Sequence, residues 1–236
     1  MPKNKSFREA KRELLYAHER NTSLCAPFVS VLPVAGAAVS ILASTAGQST
    51  ICSTNETASR LDEMQFDLGE GPCWDAMGSR MPVLTPDFRL DGASSWPLFS
   101  HAVFDDELGS SVSALFAFPL YVGSLDIGAI DLYSLTRDTL DREEIEFATE
   151  LASITSWQVL RRVLGDAATD DAEGPSTFNR SEVHQATGMI LAQLDVTVEE
   201  ASLLLRAHAY ASGRTVAEVA NDVVERRLNF ATDRER

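Results

Sequence analysis

The stretch from Asn179 to Phe230 constrains this chain most, because it repeats one device twice at short range. Thr197 precedes Glu200, and Thr215 precedes Glu218, each pair at the head of an apolar run. At that spacing the hydroxyl takes the amide three residues on while the carboxylate reaches back to the cap amide, so each pair fixes a helix start. Val183, Ala186, Ile190, Leu191 and Leu194 recur at helical spacing before the first pair. Val198, Ala201, Leu204, Leu205 and His208 follow it, and Val216, Val219, Ala220, Val223, Val224 and Leu228 follow the second. Intervals of three and four residues place each set on one helix face. Asp195 and Gly213 mark the breaks. Three helices this short bury one another's stripes and nothing more, so the segment folds as a small three-helix bundle.

Its residues also match a pattern. Ala186-Thr187-Gly188-Met189-Ile190-Leu191, then Glu200-Ala201-Ser202-Leu203-Leu204-Leu205-Arg206, then Arg214-Thr215-Val216-Ala217-Glu218-Val219-Ala220 and Val223-Val224 resemble the ANTAR domain. The resemblance implies a module that binds paired RNA stem-loops and antiterminates transcription. It places Arg206 and Arg214 at family positions, where a guanidinium would bond phosphate and stack on exposed bases. Tyr210 is a stacking platform if Leu205 and His208 are buried. Ala186 and Gly188, lacking bulk, allow close approach of RNA or of a second helix. The sequence departs at Thr187, where the family usually has lysine. Arg180, Arg226 and Arg227 are the further cations, and the alternative for all five is a solvated face with pairs such as Asp222 with Arg226.

The preceding segment is different in charge. The net charge is −15, of which residues 175–236 carry only −2. A general positive field for nucleic acid is therefore absent, and RNA reading would rest on local clusters and shape. No apolar run approaches the ~18 residues of a membrane span, and the Lys/Arg-rich start lacks the apolar stretch of a signal peptide. Cys25, Cys52 and Cys73 are an odd set without metal-ligand spacing, which predicts reduced thiols in a cytoplasm.

Along the chain, residues 6–21 form an amphipathic helix with Phe7, Leu14, Leu15 and His18 on one side. Such a helix needs the body of the protein or a second subunit as partner. Residues 36–51 read as a strand, a turn at Ala46-Gly47-Gln48 and a return strand. Thr57–Gln65 is a short helix, and Leu68-Gly69-Glu70-Gly71-Pro72-Cys73-Trp74-Asp75-Ala76 turns the chain into another. Pro82–Leu84 is a brief strand, Asp87–Ser95 a loop, and Trp96–Phe104 a helix. Strands at Ser113–Leu120 and Leu125–Tyr133 precede a long two-striped helix, Asp141–Val163. The fold class is α+β, an antiparallel sheet with helices followed by the bundle. The order of elements over roughly 22–164, with the Gly-Pro-Cys turn, resembles a GAF domain, which implies a small-molecule pocket on one sheet face and pairing as a homodimer. The expected divisions are 1–21 for the N-terminal helix, 22–164 for the sensor, 165–177 for a linker, 178–230 for the bundle and 231–236 for a tail.

Cys73, Trp74, Trp96 and His101 are the expected ligand contacts, with the ligand and any cofactor unspecified. A helix start before Cys73 would lower its pKa, against the alternative of an inert buried thiol. The tryptophans would stack on a planar ligand or fill the core. No histidine pairs with a second ligand, so no metal site is expected, and no catalytic constellation is legible. The reading is a cytoplasmic, ligand-controlled RNA-binding antiterminator and not an enzyme. A signalling adaptor with a protein-binding bundle, and a cysteine-based redox enzyme on the same fold, are the alternatives.

Overall fold

The computed structural model describes residues 2–42, 48–137, 140–166, 178–179 and 181–233. The chain divides into two compact units, Met1–Phe178 and Asn179–Arg236. Most of the expected linker and Arg180 lie outside the described residues, as do Ala46 and Gly47 of the expected turn.

In the first unit, β1 (Gly36–Ile41), β2 (Ser49–Ser53), β3 (Val83–Thr85), β4 (Ala114–Val122) and β5 (Leu125–Ser134) lie in the order β3-β4-β5-β1-β2. The described pairs are antiparallel. The two-residue β6 (Phe178–Asn179) follows β2 at the edge. Strand period divides the sheet into two faces. Ala37, Val39, Ile41, Phe116, Phe118, Ile130 and Leu132 build one core with three helical segments, α1 (Pro2–Leu15), α2 (Ala17–Arg20) and α3 (Ala26–Val31). Ala38, Leu115 and Tyr133 point to the other face, beneath α4 (Glu56–Leu68), while Ala129 meets Cys73 at the start of α5 (Pro72–Ser79). Gly128 stands where β5 crosses β1, and a Cβ there would lie 1.9 Å from the Ser40 carbonyl oxygen. Only glycine permits that register.

Residues 87–95, expected as a loop, form α6 (Phe88–Ser95). The Asp87 carboxylate accepts the Leu90 amide and caps it. Phe88 is buried, and Gly92 one turn on leaves room for its ring. With Phe88 and Leu90 two residues apart and no large apolar side chain after them, the segment carries too little helical periodicity to show as a helix. Next come α7 (Pro97–Asp105) and the long α8 (Arg142–Asp166). As expected, α8 has two working faces. Ala148, Ala152 and Val159 join the sheet core, while Phe147 of the other stripe stacks on Phe7 of α1 at 4.0 Å.

The N-terminal segment finds its partner in the body of the protein. Its buried stripe is Phe7, Ala10, Leu14 and Ala17, whereas Leu15 and His18 face solvent. The expected stripe is corrected: Leu15 falls on the α1 face away from Phe7 and Leu14, and His18 follows the break at Tyr16. The expectation of three reduced thiols is corrected too. Cys25, at the start of α3, is disulfide-bonded to Cys52 of β2, and Cys73 alone is free. Cys52 pairs with Val39 across the strands, which turns it toward the face that α3 covers.

The second unit holds α9 (Ser181–Leu194), α10 (Val198–Ser212), α11 (Val216–Val224) and α12 (Phe230–Asp233). Both capping boxes form. The Glu200 amide donates to Thr197 Oγ1 at 3.2 Å and the Thr197 amide to Glu200 Oε2 at 2.8 Å. The Glu218 amide donates to Thr215 Oγ1 at 3.2 Å, and the Thr215 amide to Glu218 Oε2 at 3.0 Å. Gly213 closes α10 at φ 64°. The third stripe was expected to run helically to Leu228, but α11 ends at Val224, where Arg226 turns to φ 60°. Leu228 still packs on the core, and α12 returns Phe230 into it.

Candidate functional site

In the first unit the polar residues on the inner sheet face gather beneath α4 and α5. Asp131 lies mid-strand in β5, between Ala38 of β1 and Ala117 of β4. Two alanines leave it without a bulky neighbour in its row. Asp62 of α4 accepts hydrogen bonds from Ser40 Oγ at 2.5 Å and from Thr50 Oγ1. Gln65, one turn later, accepts the Cys73 amide on Oε1 at 2.9 Å, and the Trp74 indole donates to the Gln65 carbonyl at 2.8 Å. Asp62, Gln65, Cys73 and Asp131 are all buried.

Neither carboxylate oxygen of Asp131 has a hydrogen-bond partner within normal geometry among the described residues. Burial first, and then the neighbouring Asp62 charge, push its carboxyl well above the usual range, with Gln65 offsetting part of the shift. Burial also raises the Cys73 thiol, and Asp131 and Asp62 add to the effect. A lowered thiol pKa at the start of α5 is thus corrected: desolvation and two nearby carboxyls outweigh the amides at the helix end.

Of the four residues expected to touch a ligand, the structure brings Cys73 and Trp74 to this cluster. Trp96 is buried in the neighbouring core, its indole donating to Asp75 at 2.9 Å, so it ties α7 to α5. His101 lies apart on the solvent side of α7, with its Nδ1 3.2 Å from Asp105. The structure does not bring His101, expected as a ligand contact, to this cluster. Asp62, Gln65 and Asp131 went unread in the sequence. The available signal was Asp131 itself, a residue type depleted in strands, sitting at inward parity in Ile-Gly-Ala-Ile-Asp-Leu-Tyr.

In the second unit α10 turns Ala201, Leu205 and Ala209 inward, so Leu203, Ala207 and Tyr210 form an outward row. Tyr210 is 67% exposed, as the burial of Leu205 requires. Arg206 is half-buried beside this row. Arg214 pairs with Asp222 at 2.7 Å and donates to the Glu218 carbonyl at 3.2 Å. Asp222 also pairs with Arg227, at 2.6 Å, in place of the expected Arg226. The hydrogen bonds from Arg214 and then Arg227 hold its carboxyl below the usual range. Gly188 is exposed, with open space where a Cβ would stand. Ala186 is fully buried, so of its two expected roles the structure leaves helix packing and corrects contact with RNA. Thr187 is buried as well, and its hydroxyl donates to the Val183 carbonyl at 2.7 Å. Among the described residues no group of histidines, cysteines and carboxylates could hold a metal ion. Among the same residues, no helix is long and apolar enough to cross a membrane.

Residues 24–156 match the GAF domain and residues 179–224 the ANTAR domain. No curated protein is similar enough to count as a relative. Among solved structures, the GAF domain of a phosphoenolpyruvate-protein phosphotransferase from Coxiella burnetii is 14% identical. That likeness covers 71% of this chain and 97% of that one at a TM-score of 0.53. The corresponding Acinetobacter domain is 10% identical, covering 70% and 96% at a TM-score of 0.49. A free methionine-R-sulfoxide reductase from Neisseria meningitidis is 14% identical, covering 66% and 90% at 0.44. Only the first likeness is strong enough to speak, and at its identity it speaks for the fold alone. With the GAF match spanning more than half of its length and the ANTAR match following in order, the chain belongs to the GAF family and joins that sensor domain to an ANTAR regulatory domain.

Proposed function

We propose that this protein is an RNA-binding transcription antiterminator whose GAF unit, on sensing a small molecule, controls binding of tandem RNA stem-loops by the ANTAR unit. The outward row of α10 is the observation that supports it. An exposed tyrosine and leucine flanked by Arg206 and Arg214 offer the stacking surface and phosphate contacts that splayed RNA loops need. The net charge fits a short-range reader rather than an electrostatic sponge. Action in the cytoplasm, where nascent RNA is made, belongs to the same proposal.

Control would run through α8, which packs on the sheet and precedes the second unit in the chain. Trp157 and Leu164 of this helix are 55% and 63% exposed, and a second copy would cover them in a homodimer. A dimer presents two ANTAR units, so two linked hairpins would bind with the gain of an intramolecular second contact. Ligand binding would shift the packing of α8 and with it the population of dimers in register. No catalytic step enters this account.

The test is replacement of Arg206 and of Arg214 by alanine. Each should weaken binding of a tandem-hairpin RNA by about tenfold, consistent with charge-assisted contacts, while the dimer persists in sedimentation. Thermal melts separate this from loss of the Arg214–Asp222 pair. Undiminished RNA binding in both variants would move the RNA surface off these two arginines, and no RNA binding by the parent would leave the protein-binding adaptor as the better reading.

A further inference from the structure

The buried carboxyls of the first unit fit poorly as a purely structural feature. Asp62 is served by two hydroxyls. Asp131 is more than nine-tenths buried, and neither oxygen has a partner at normal hydrogen-bond geometry among the described residues, the Gln65 side chain offsetting its burial only in part. Leaving such a group bare is costly, and apolar replacement would remove the cost. Its place is also specific. It stands at the centre of the inner sheet face, flanked by Ala38 and Ala117, and under Gln65 and Cys73 at the junction of α4 and α5. Small residues flank this acceptor on both neighbouring strands.

We propose that Asp131, with Asp62 beside it, is the recognition point of the sensor for a small organic ligand bearing a cationic N–H donor, a primary ammonium, amidinium or guanidinium. The ligand nitrogen supplies the donors that Asp131 lacks, and the paired negative charges select against anions of the same size. Trp74, held by its indole to the Gln65 carbonyl, lies close enough to report occupancy. Burial pushes the Asp131 carboxyl above its ordinary range, and a cationic group seated beside it would favour the carboxylate. The cluster is covered in this structure, so the ligand enters as α4 or α5 moves. This inference rests on the reading of the first unit as a small-molecule sensor.

The experiment uses the full chain and its Asp131→Asn variant. The probes are n-butylammonium, N-butylguanidinium, neutral n-butanol and butyrate, followed by cell extract separated into cationic, neutral and anionic fractions. Thermal melting and tryptophan fluorescence read binding. A cationic probe or fraction should raise the Tm of the parent by about 3–6 °C at tenfold excess over Kd. It should leave Asp131→Asn unmoved. The variant should melt no lower than the parent near neutral pH, which shows that its silence is not misfolding. Equal responses in both proteins, or no response to any cationic probe or fraction, would overturn the proposal. In that case a shift by the neutral or anionic fraction would leave the sensor reading standing, and silence to every fraction would remove that reading as well.

Discussion

A carboxyl that keeps its proton on folding contributes stability below its unfolded pKa and loses it as pH rises through the folded value. Asp131 is raised from an ordinary 3.8, mainly by burial, so the parent should lose stability relative to Asp131→Asn between pH ~4 and neutrality. Urea unfolding of both proteins across that range checks the sign, and parallel curves would contradict it. Cys73 sits beside that carboxyl and is raised for the same reason. Iodoacetamide should label it only after denaturation, at a rate in the native state at least a hundredfold below that of a free thiol. Tyr210 is the opposite case, a large side chain held in water. Its replacement by alanine should leave the melting temperature within about 1 °C and weaken RNA binding by roughly tenfold, the worth of one stacked base. These three residues were unequally legible. Tyr210 follows from helical parity once Leu205 is buried. Cys73 was visible but its environment was not, because the carboxyls that raise it come from residues 62 and 131.

Elements with a local signature were readable, and those stabilised from a distance were not. Thr197–Glu200 and Thr215–Glu218 announced their helices because a capping box is complete within four residues. Thr215→Ala should accordingly cost about 1 kcal/mol in the unfolding of the bundle, a typical value for a lost N-cap. By contrast α6 has two buried positions, Phe88 and Gly92, whose role depends on the sheet they pack against. Gly92 tests which effect wins there. Alanine would gain up to ~1 kcal/mol of helix propensity, yet its Cβ would meet the Phe88 ring at 2.5 Å. Overpacking of about 1–3 kcal/mol should prevail, and Gly92→Ala should lower the Tm. A raised Tm would show that the ring moves aside freely.

At the scale of the molecule, the order of elements disclosed both domains, while the Cys25–Cys52 link stayed hidden. Its partners are 27 residues apart and meet only because β2 folds back on β1 under α3. A loop of that length implies about 3–4 kcal/mol of chain-entropy stabilisation. Reductant should thus lower the melting temperature of the first unit, and a Cys25→Ala/Cys52→Ala protein should melt at the reduced value with no further response. The proposed coupling of the GAF unit to RNA binding by the ANTAR unit rests on one equilibrium, binding of the full chain to RNA. The decisive measurement is a salt titration of that binding, comparing one hairpin with two in tandem. Tighter binding of the linked pair, with affinity falling steeply as salt rises, is the predicted result. Equal affinity for one hairpin and two, or no binding to either at low salt with the sensor's ligand present or absent, would contradict it.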